Sequence, residues 1–194
     1  MLNLISKKIV SILLKNKIIN TELTDIYIYG FTLLISNLIG FSTVLLISGL
    51  FSSILKGFCF LIILITLRIH TGGYHSKNFL SCNLILNFSF LICFFISKTL
   101  PKSKLMIVHT EILIMLITIA IIIKFIPIEN KNKPILKNKR IYKIKSIILY
   151  LIFFIIGFYF YYRDFNLGYF ILTVLDFTIF IIILELIRRR FFYG

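Results

Sequence analysis

The chain has 194 residues, 59% of them hydrophobic and 16% aromatic but only 15% charged, with a mean hydropathy of +1.01. A soluble domain is about half apolar and about a quarter charged, so a soluble nucleic-acid binder is excluded as the first reading even though 22 Lys and Arg stand against 7 Asp and Glu. Three cysteines also make no framework for a disulfide-built secreted domain.

What remains is an all-α, polytopic helical membrane protein whose first partner is the lipid bilayer. Residues 1–24 open it with Leu2, Ile5, Ile9, Ile12 and Leu13 at helical spacing, interrupted by Lys7, Lys8, Lys15 and Lys17. That pattern fits an amphipathic helix lying at the membrane interface or an ordinary polar leader. Basic residues run through it and no small-residue cleavage site follows, which speaks against a cleavable signal peptide.

A hydrocarbon core of about 30 Å needs roughly 20 apolar residues in a helix. Tyr27–Leu50, Phe79–Ser97, Leu105–Ile126 and Leu167–Ile187 meet that length. Ser146–Tyr162 is shorter but almost purely Ile, Leu, Phe and Tyr. Ser52–Leu67 carries Lys56 and precedes Arg68, and it counts as a span because long basic side chains can snorkel to the interface.

Six spans put both termini on one side. The N-terminal segment, the connections after spans two and four, and the C-terminal Arg188-Arg189-Arg190 then hold 17 basic residues. Lys56, Lys98, Lys102, Lys104 and Arg163 fall on the other side. The positive-inside rule places the termini and the two even loops in the cytoplasm of a multi-pass cell-membrane protein. With no internal repeat and no Gly/Ser linker, residues 1–194 read as a single integral-membrane domain.

Polar residues are densest in residues 68–83, Arg-Ile-His-Thr-Gly-Gly-Tyr-His-Ser-Lys-Asn-Phe-Leu-Ser-Cys-Asn, on the expected cytoplasmic face. A Gly-bearing polar break at the membrane surface is tolerated only where protein or water satisfies its backbone, which points to a cavity. Cysteine is a nucleophile only as the thiolate, a form that an adjacent imidazole and the positive end of a helix both favour. Ser76 or Asn78 can cap the third span and put Cys82 in its first two turns.

On one straight helix, Cys82 and His75 would stand ~10.5 Å apart, so a dyad needs the chain to fold back, with Gly72 and Gly73 supplying the bend. The plain alternative is a packing cysteine and an interfacial histidine. His70 is an alternative base, whereas His109 is expected to have no role in the chemistry. Cys59 and Cys93, inside apolar runs, read as packing residues.

The loop 127–145 begins Pro-Ile-Glu-Asn-Lys-Asn-Lys-Pro and continues basic to Lys145. Its charge can anchor the protein to anionic lipid or draw in an acidic peptide. Asp176 is an ionisable residue in mid-span that needs a partner. Glu185 has Arg188 and Arg189 three and four residues on, which suffices for a local ion pair.

Arg68, then Gly72-Gly73-Tyr74-His75, then Cys82 seven residues on, with Pro127 and Asn132-Lys133-Pro134 after the fourth span, together resemble the accessory gene regulator B (AgrB) family. These are membrane peptidases of Gram-positive quorum-sensing systems, and the resemblance covers nearly the whole chain. It implies a cysteine endopeptidase that removes the acidic tail of an AgrD-like propeptide, leaving a cyclic thiolactone or lactone. Cys82 would be the nucleophile and His75 its base.

Arg68, Gly72, Gly73 and Ser76 would support the site, and Lys131, Asn132, Lys133 and Pro134 would meet the substrate. Arg68 could hold a substrate carboxylate, pair with Asp176 or snorkel. The resemblance also suggests a homodimer; no metal or organic cofactor and no nucleic acid are expected. The competing reading is a small transporter or channel component, which would place its polar residues in broken mid-membrane helices. Here they gather at one edge.

Overall fold

The computed structural model describes residues 2–72, 79–99, 104–128 and 138–193. Among these described residues seven α-helices follow one another: α1 (Leu2–Lys15), α2 (Thr24–Leu50, after a single 3-10 turn), α3 (Ile54–Thr71), α4 (Phe79–Thr99), α5 (Lys104–Phe125), α6 (Lys139–Arg163) and α7 (Phe165–Tyr193). The last six are long and apolar enough to cross a bilayer, so the protein is the polytopic all-α membrane protein its composition requires. Among the described residues there is no β-strand.

Three helices run further than apolar content alone indicates. The second span continues through Arg68 to Thr71, and α7 continues through the three arginines to Tyr193. The third extension is α6, which starts at Lys139, so the basic stretch Lys139–Lys145 is helical rather than loop. Asn138 starts it, its Oδ1 accepting from the Arg140 N–H at 3.0 Å, an ordinary N-cap that hydropathy does not register.

The N-terminal helix is amphipathic as expected, and its narrow seat is polar and small. Ser6 and Val10 are its buried residues, and α1 folds back against α2, where Thr32 Oγ1 donates to Ser6 Oγ at 2.9 Å. α2 buries a stripe at every fourth position: Thr32, Ser36, Gly40, Val44 and Ser48. Small residues let backbones approach closely where lipid tails compete with any bulky apolar contact. A methyl on Gly40 would meet Asn83 and Leu86 of α4, and one on Gly57 of α3 would meet Ser48.

At one end of the bundle, rings fill the core. Phe90 stacks with Phe94 and meets Phe60 and Phe170 edge-on, with centroids 5.5–6.2 Å apart. Lys56 lies over Phe94 and Phe170, 5.5 Å from each centroid, which explains how a short span accommodates a lysine. α6 and α7 are joined by a sharp turn at Asp164, whose Oδ1 accepts from the Asn166 and Leu167 N–H groups at 3.1 and 3.4 Å. α3, α4 and α7 converge toward the opposite end, where α3 stops at Gly72.

Candidate functional site

α3 ends because Gly72 turns left-handed, at φ +73°, a conformation that costs a side-chain-bearing residue strain but glycine little. Its N–H donates to the Arg68 carbonyl at 3.2 Å. Gly72 is also in a tight place: a Cβ there would collide with the carbonyl oxygen of Ile128. The Ile128 N–H in turn donates to the Thr71 carbonyl at 3.0 Å, forming a single parallel bridge between the two segments. The end of α3 and the segment leaving α5, the starts of the two stretches singled out in the sequence, are thus tied backbone to backbone.

Beside this junction lies a narrow pocket of about 60 Å³. α3 contributes Leu64, Leu67, Arg68, Thr71 and Gly72; α4 contributes Ile85, Leu86 and Ser89; α7 contributes Thr178, Ile181 and Ile182. Cys82 is in the first turn of α4, half-buried. It stands three and four residues before Ile85 and Leu86, hence on the same helical face and one turn toward the Gly72 end. Cys82 is not itself in the lining, which is apolar apart from Arg68, Thr71, Ser89 and Thr178.

The rotation of α4 that brings this face inward is set by two asparagines. Asn83 Nδ2 donates to the Ser36 carbonyl at 3.1 Å and to Ser36 Oγ at 3.3 Å. One turn on, Asn87 Nδ2 donates to Thr43 Oγ1 at 2.9 Å and to the Asn83 carbonyl at 2.8 Å. These contacts pin α4 to α2 on the flank next to Cys82. Asn87 did not stand out in the sequence, where one amide among Leu and Phe carries no motif; its i+4 spacing from Asn83 was the available signal.

Arg68 lines the pocket, whereas His70 lies about 200° further round α3 and its ring sits 6.2 Å from that of Tyr142 on α6. The two residues therefore serve different faces of the helix. Asp176 does not line the pocket. Its electrostatic neighbours are Glu111, Tyr150, Tyr169 and Cys93. Glu111 is 6% exposed and is the acidic residue that the sequence reading passed over; an acid seven residues inside an apolar helix was visible there. Glu185 forms the expected local pairs, with Arg188 and Arg189 Nε both 2.9 Å from its carboxylate.

Cys93 is fully buried among the core rings, and both it and Cys59 are free thiols. Gly73, His75 and Ser76 fall outside the described residues, as do Lys131, Asn132, Lys133 and Pro134. Among the described residues no three His, Cys, Asp or Glu side chains converge as a metal site would require.

No solved structure matches the chain. A protein of Clostridium perfringens (strain SM101 / Type A) named as AgrB-like is 35% identical over 159 residues, covering 77% of this chain and 72% of its own. A second, AgrB-like protein 2 of C. perfringens (strain 13 / Type A), is 32% identical over 154 residues, covering 75% and 72%. The family described as Accessory gene regulator B matches residues 6–188. With a family match that takes in all six spans, the Cys82 helix and the pocket, the chain belongs to the accessory gene regulator B family and has its role in the accessory gene regulator system.

Proposed function

We propose that the protein is a membrane-embedded cysteine endopeptidase that cleaves an AgrD-like propeptide. What supports this reading is that Cys82 stands one helical turn before Ile85 and Leu86, which line a recess walled by three spans with Arg68 in its wall. His75 takes the Cys82 proton, and the thiolate attacks the carbonyl carbon of the scissile amide. The C–S bond forms and the C–N bond breaks as His75 returns the proton to the leaving amine, releasing the acidic tail. A thiol or hydroxyl of the substrate then attacks the thioester, regenerating Cys82 and closing a thiolactone or lactone.

Thioester exchange is nearly balanced in energy, so the ring can close without ATP when water is kept from the acyl-enzyme. The apolar walls Leu64, Leu67, Ile85 and Ile182 serve that exclusion. Lys131, Asn132, Lys133 and Pro134 bind the substrate's acidic tail, Gly73 and Ser76 shape the loop that carries His75, and the site faces the cytoplasm with both termini. The protein works in the bilayer as a homodimer, without nucleic acid.

The test is co-expression with the precursor, following its cleavage by mass. Cys82→Ala and His75→Ala are each expected to leave the precursor intact, and normal processing by either variant would sink the dyad. A second reading, a transporter component, draws on one observation: Glu111 and Asp176 are buried within electrostatic reach of each other inside the spans. Glu111→Gln separates the two, since the peptidase reading expects cleavage to continue and a transport role expects export alone to fail.

A further inference from the structure

A second cavity adjoins the first. It is a crevice of about 440 Å³ between α4 and α7, with Leu84, Phe88, Phe177 and Phe180 in its walls and the Glu185–Arg188 pair at one edge. It shares Ile85, Ser89 and Ile181 with the narrow pocket, so the two lie side by side along the Cys82 face of α4. Its size is that of a ligand site rather than a packing defect. Phe88 and Phe180 stand 61% and 53% exposed on its rim, facing the bilayer.

Ser89 lines both cavities, whereas Thr178, Thr71 and Arg68 line the narrow pocket alone, and these polar groups decide what the two together can hold. Ser89 Oγ donates to the Ile85 carbonyl at 2.7 Å, Thr178 Oγ1 to Leu175 at 2.6 Å, and Thr71 Oγ1 to Leu67 at 3.0 Å. Each hydroxyl has one proton, and in all three it is engaged by the helix's own backbone, leaving lone pairs that can only accept. The visitor they suit carries N–H donors. A lipid tail has none, and an anion has none. Arg68, in the same wall, is a donor and suits a carbonyl.

Acceptors at the hydroxyls, a donor at the arginine and apolar walls between them match an extended peptide with apolar side chains. Its backbone must find hydrogen bonds once it leaves water. We propose that the crevice between α4 and α7 is the route and seat by which an apolar stretch of the peptide substrate reaches Cys82 sideways from the bilayer. This rests on the peptidase reading above and adds where the substrate lies and what holds it.

The experiment uses the full chain in membranes, co-expressed with its AgrD-like precursor bearing an epitope tag. In a Cys82→Ala background, Phe88 or Phe180 is replaced by the photo-crosslinker p-benzoyl-phenylalanine; the same replacement at Phe58, a lipid-facing residue of α3, is the control. Adducts of chain plus precursor from the first two positions and none from Phe58 are expected. Adducts with lipid alone from Phe88 and Phe180 would overturn the route.

With Cys82 intact, Ser89→Ala and Thr178→Val each remove an acceptor without adding bulk. KM for the precursor is expected to rise about five- to tenfold with kcat within about twofold, whereas unchanged KM in both variants would overturn the seat. The peptidase reading fails by a different result, cleavage that survives Cys82→Ala, which leaves the cross-linking outcome readable on its own.

Discussion

The two ends of the bundle are held together by different forces. At the Gly72 end, direction matters: Asn83 reaches Ser36, the Ile128 N–H meets the Thr71 carbonyl, and Lys143 Nζ donates to the Ile123 carbonyl at 2.7 Å. At the other end, bulk matters: Phe60, Phe90, Phe94 and Phe170 pack ring on ring, and Lys56 and Lys98 lie over ring faces. In lipid, an apolar side chain gains little by leaving acyl tails for another helix, so ring packing sets distance better than rotation. Hydrogen bonds set rotation. Cys82 lies at the end built on hydrogen bonds, which is the precision of placement that the proposed thiol chemistry would need.

Substitutions at each end can break that contrast. The largest effect is expected from Gly72→Ala. The added methyl would sit against the Ile128 carbonyl on a backbone of positive φ, and strain of this kind costs about 1–3 kcal/mol before the overlap is counted. Precursor cleavage in membranes should fall by at least about a hundredfold, because α3 and the segment after α5 can no longer meet. Retention of wild-type cleavage would show that their junction does not shape the site.

Phe90→Ala comes next, at the packed end. It empties a fully buried ring position at a cost of about 3–5 kcal/mol, which a thermal melt in detergent reads directly. Cleavage per folded molecule should stay within about threefold. A collapse of turnover with no loss of melting temperature would reverse the roles assigned to the two ends.

How much of this was legible before the structure follows from what leaves a mark in one sequence. Six spans were readable because a bilayer demands length and apolarity, and Cys82 stands as a candidate because few residues in the chain can do chemistry at all. Glu185 and its arginines were readable because their spacing is local. The start of α6 at Lys139 was not, since an N-cap at Asn138 outweighs a run of lysines that hydropathy assigns to loop. The contact of Gly72 with Ile128 and of Asn83 with Ser36 spans dozens of residues, and nothing in one chain's spacing encodes which turns of two helices face each other. Glu111 was visible as an acid in a span, but its company with Asp176 depends on how α5 and α7 pack.

A smaller effect is expected from Asn83→Leu, and it tests rotation directly. Side-chain hydrogen bonds between membrane helices are worth about 0.6–1.7 kcal/mol, so melting should move only slightly. The loss should appear in turnover, about tenfold in kcat with KM little changed, because α4 keeps its place and loses its angle. Asn83→Gln, which retains the amide on a longer arm, should recover part of that turnover. A fall in melting temperature as large as that of Phe90→Ala would make Asn83 a packing residue and remove the distinction between the ends.

The smallest effect, and the sharpest control, is Lys98→Met. Lys98 Nζ sits 4.4 Å from the Phe94 centroid, a contact worth about 0.5–1 kcal/mol where the ammonium keeps its water. Met retains most of the apolar stem that covers the ring, so the melt should shift by no more than that and cleavage should be unaffected. Asn83→Leu is expected to perturb stability by a similar amount, and this is why the pair is informative. Two substitutions of comparable energetic cost, on the same helix, should differ about tenfold in turnover solely because one contact has a direction that Cys82 depends on and the other does not. Equal turnover would mean that α4 transmits a disturbance from either end to the thiol as a rigid rod, and the hydrogen bonds to α2 would then contribute stability without positioning the site.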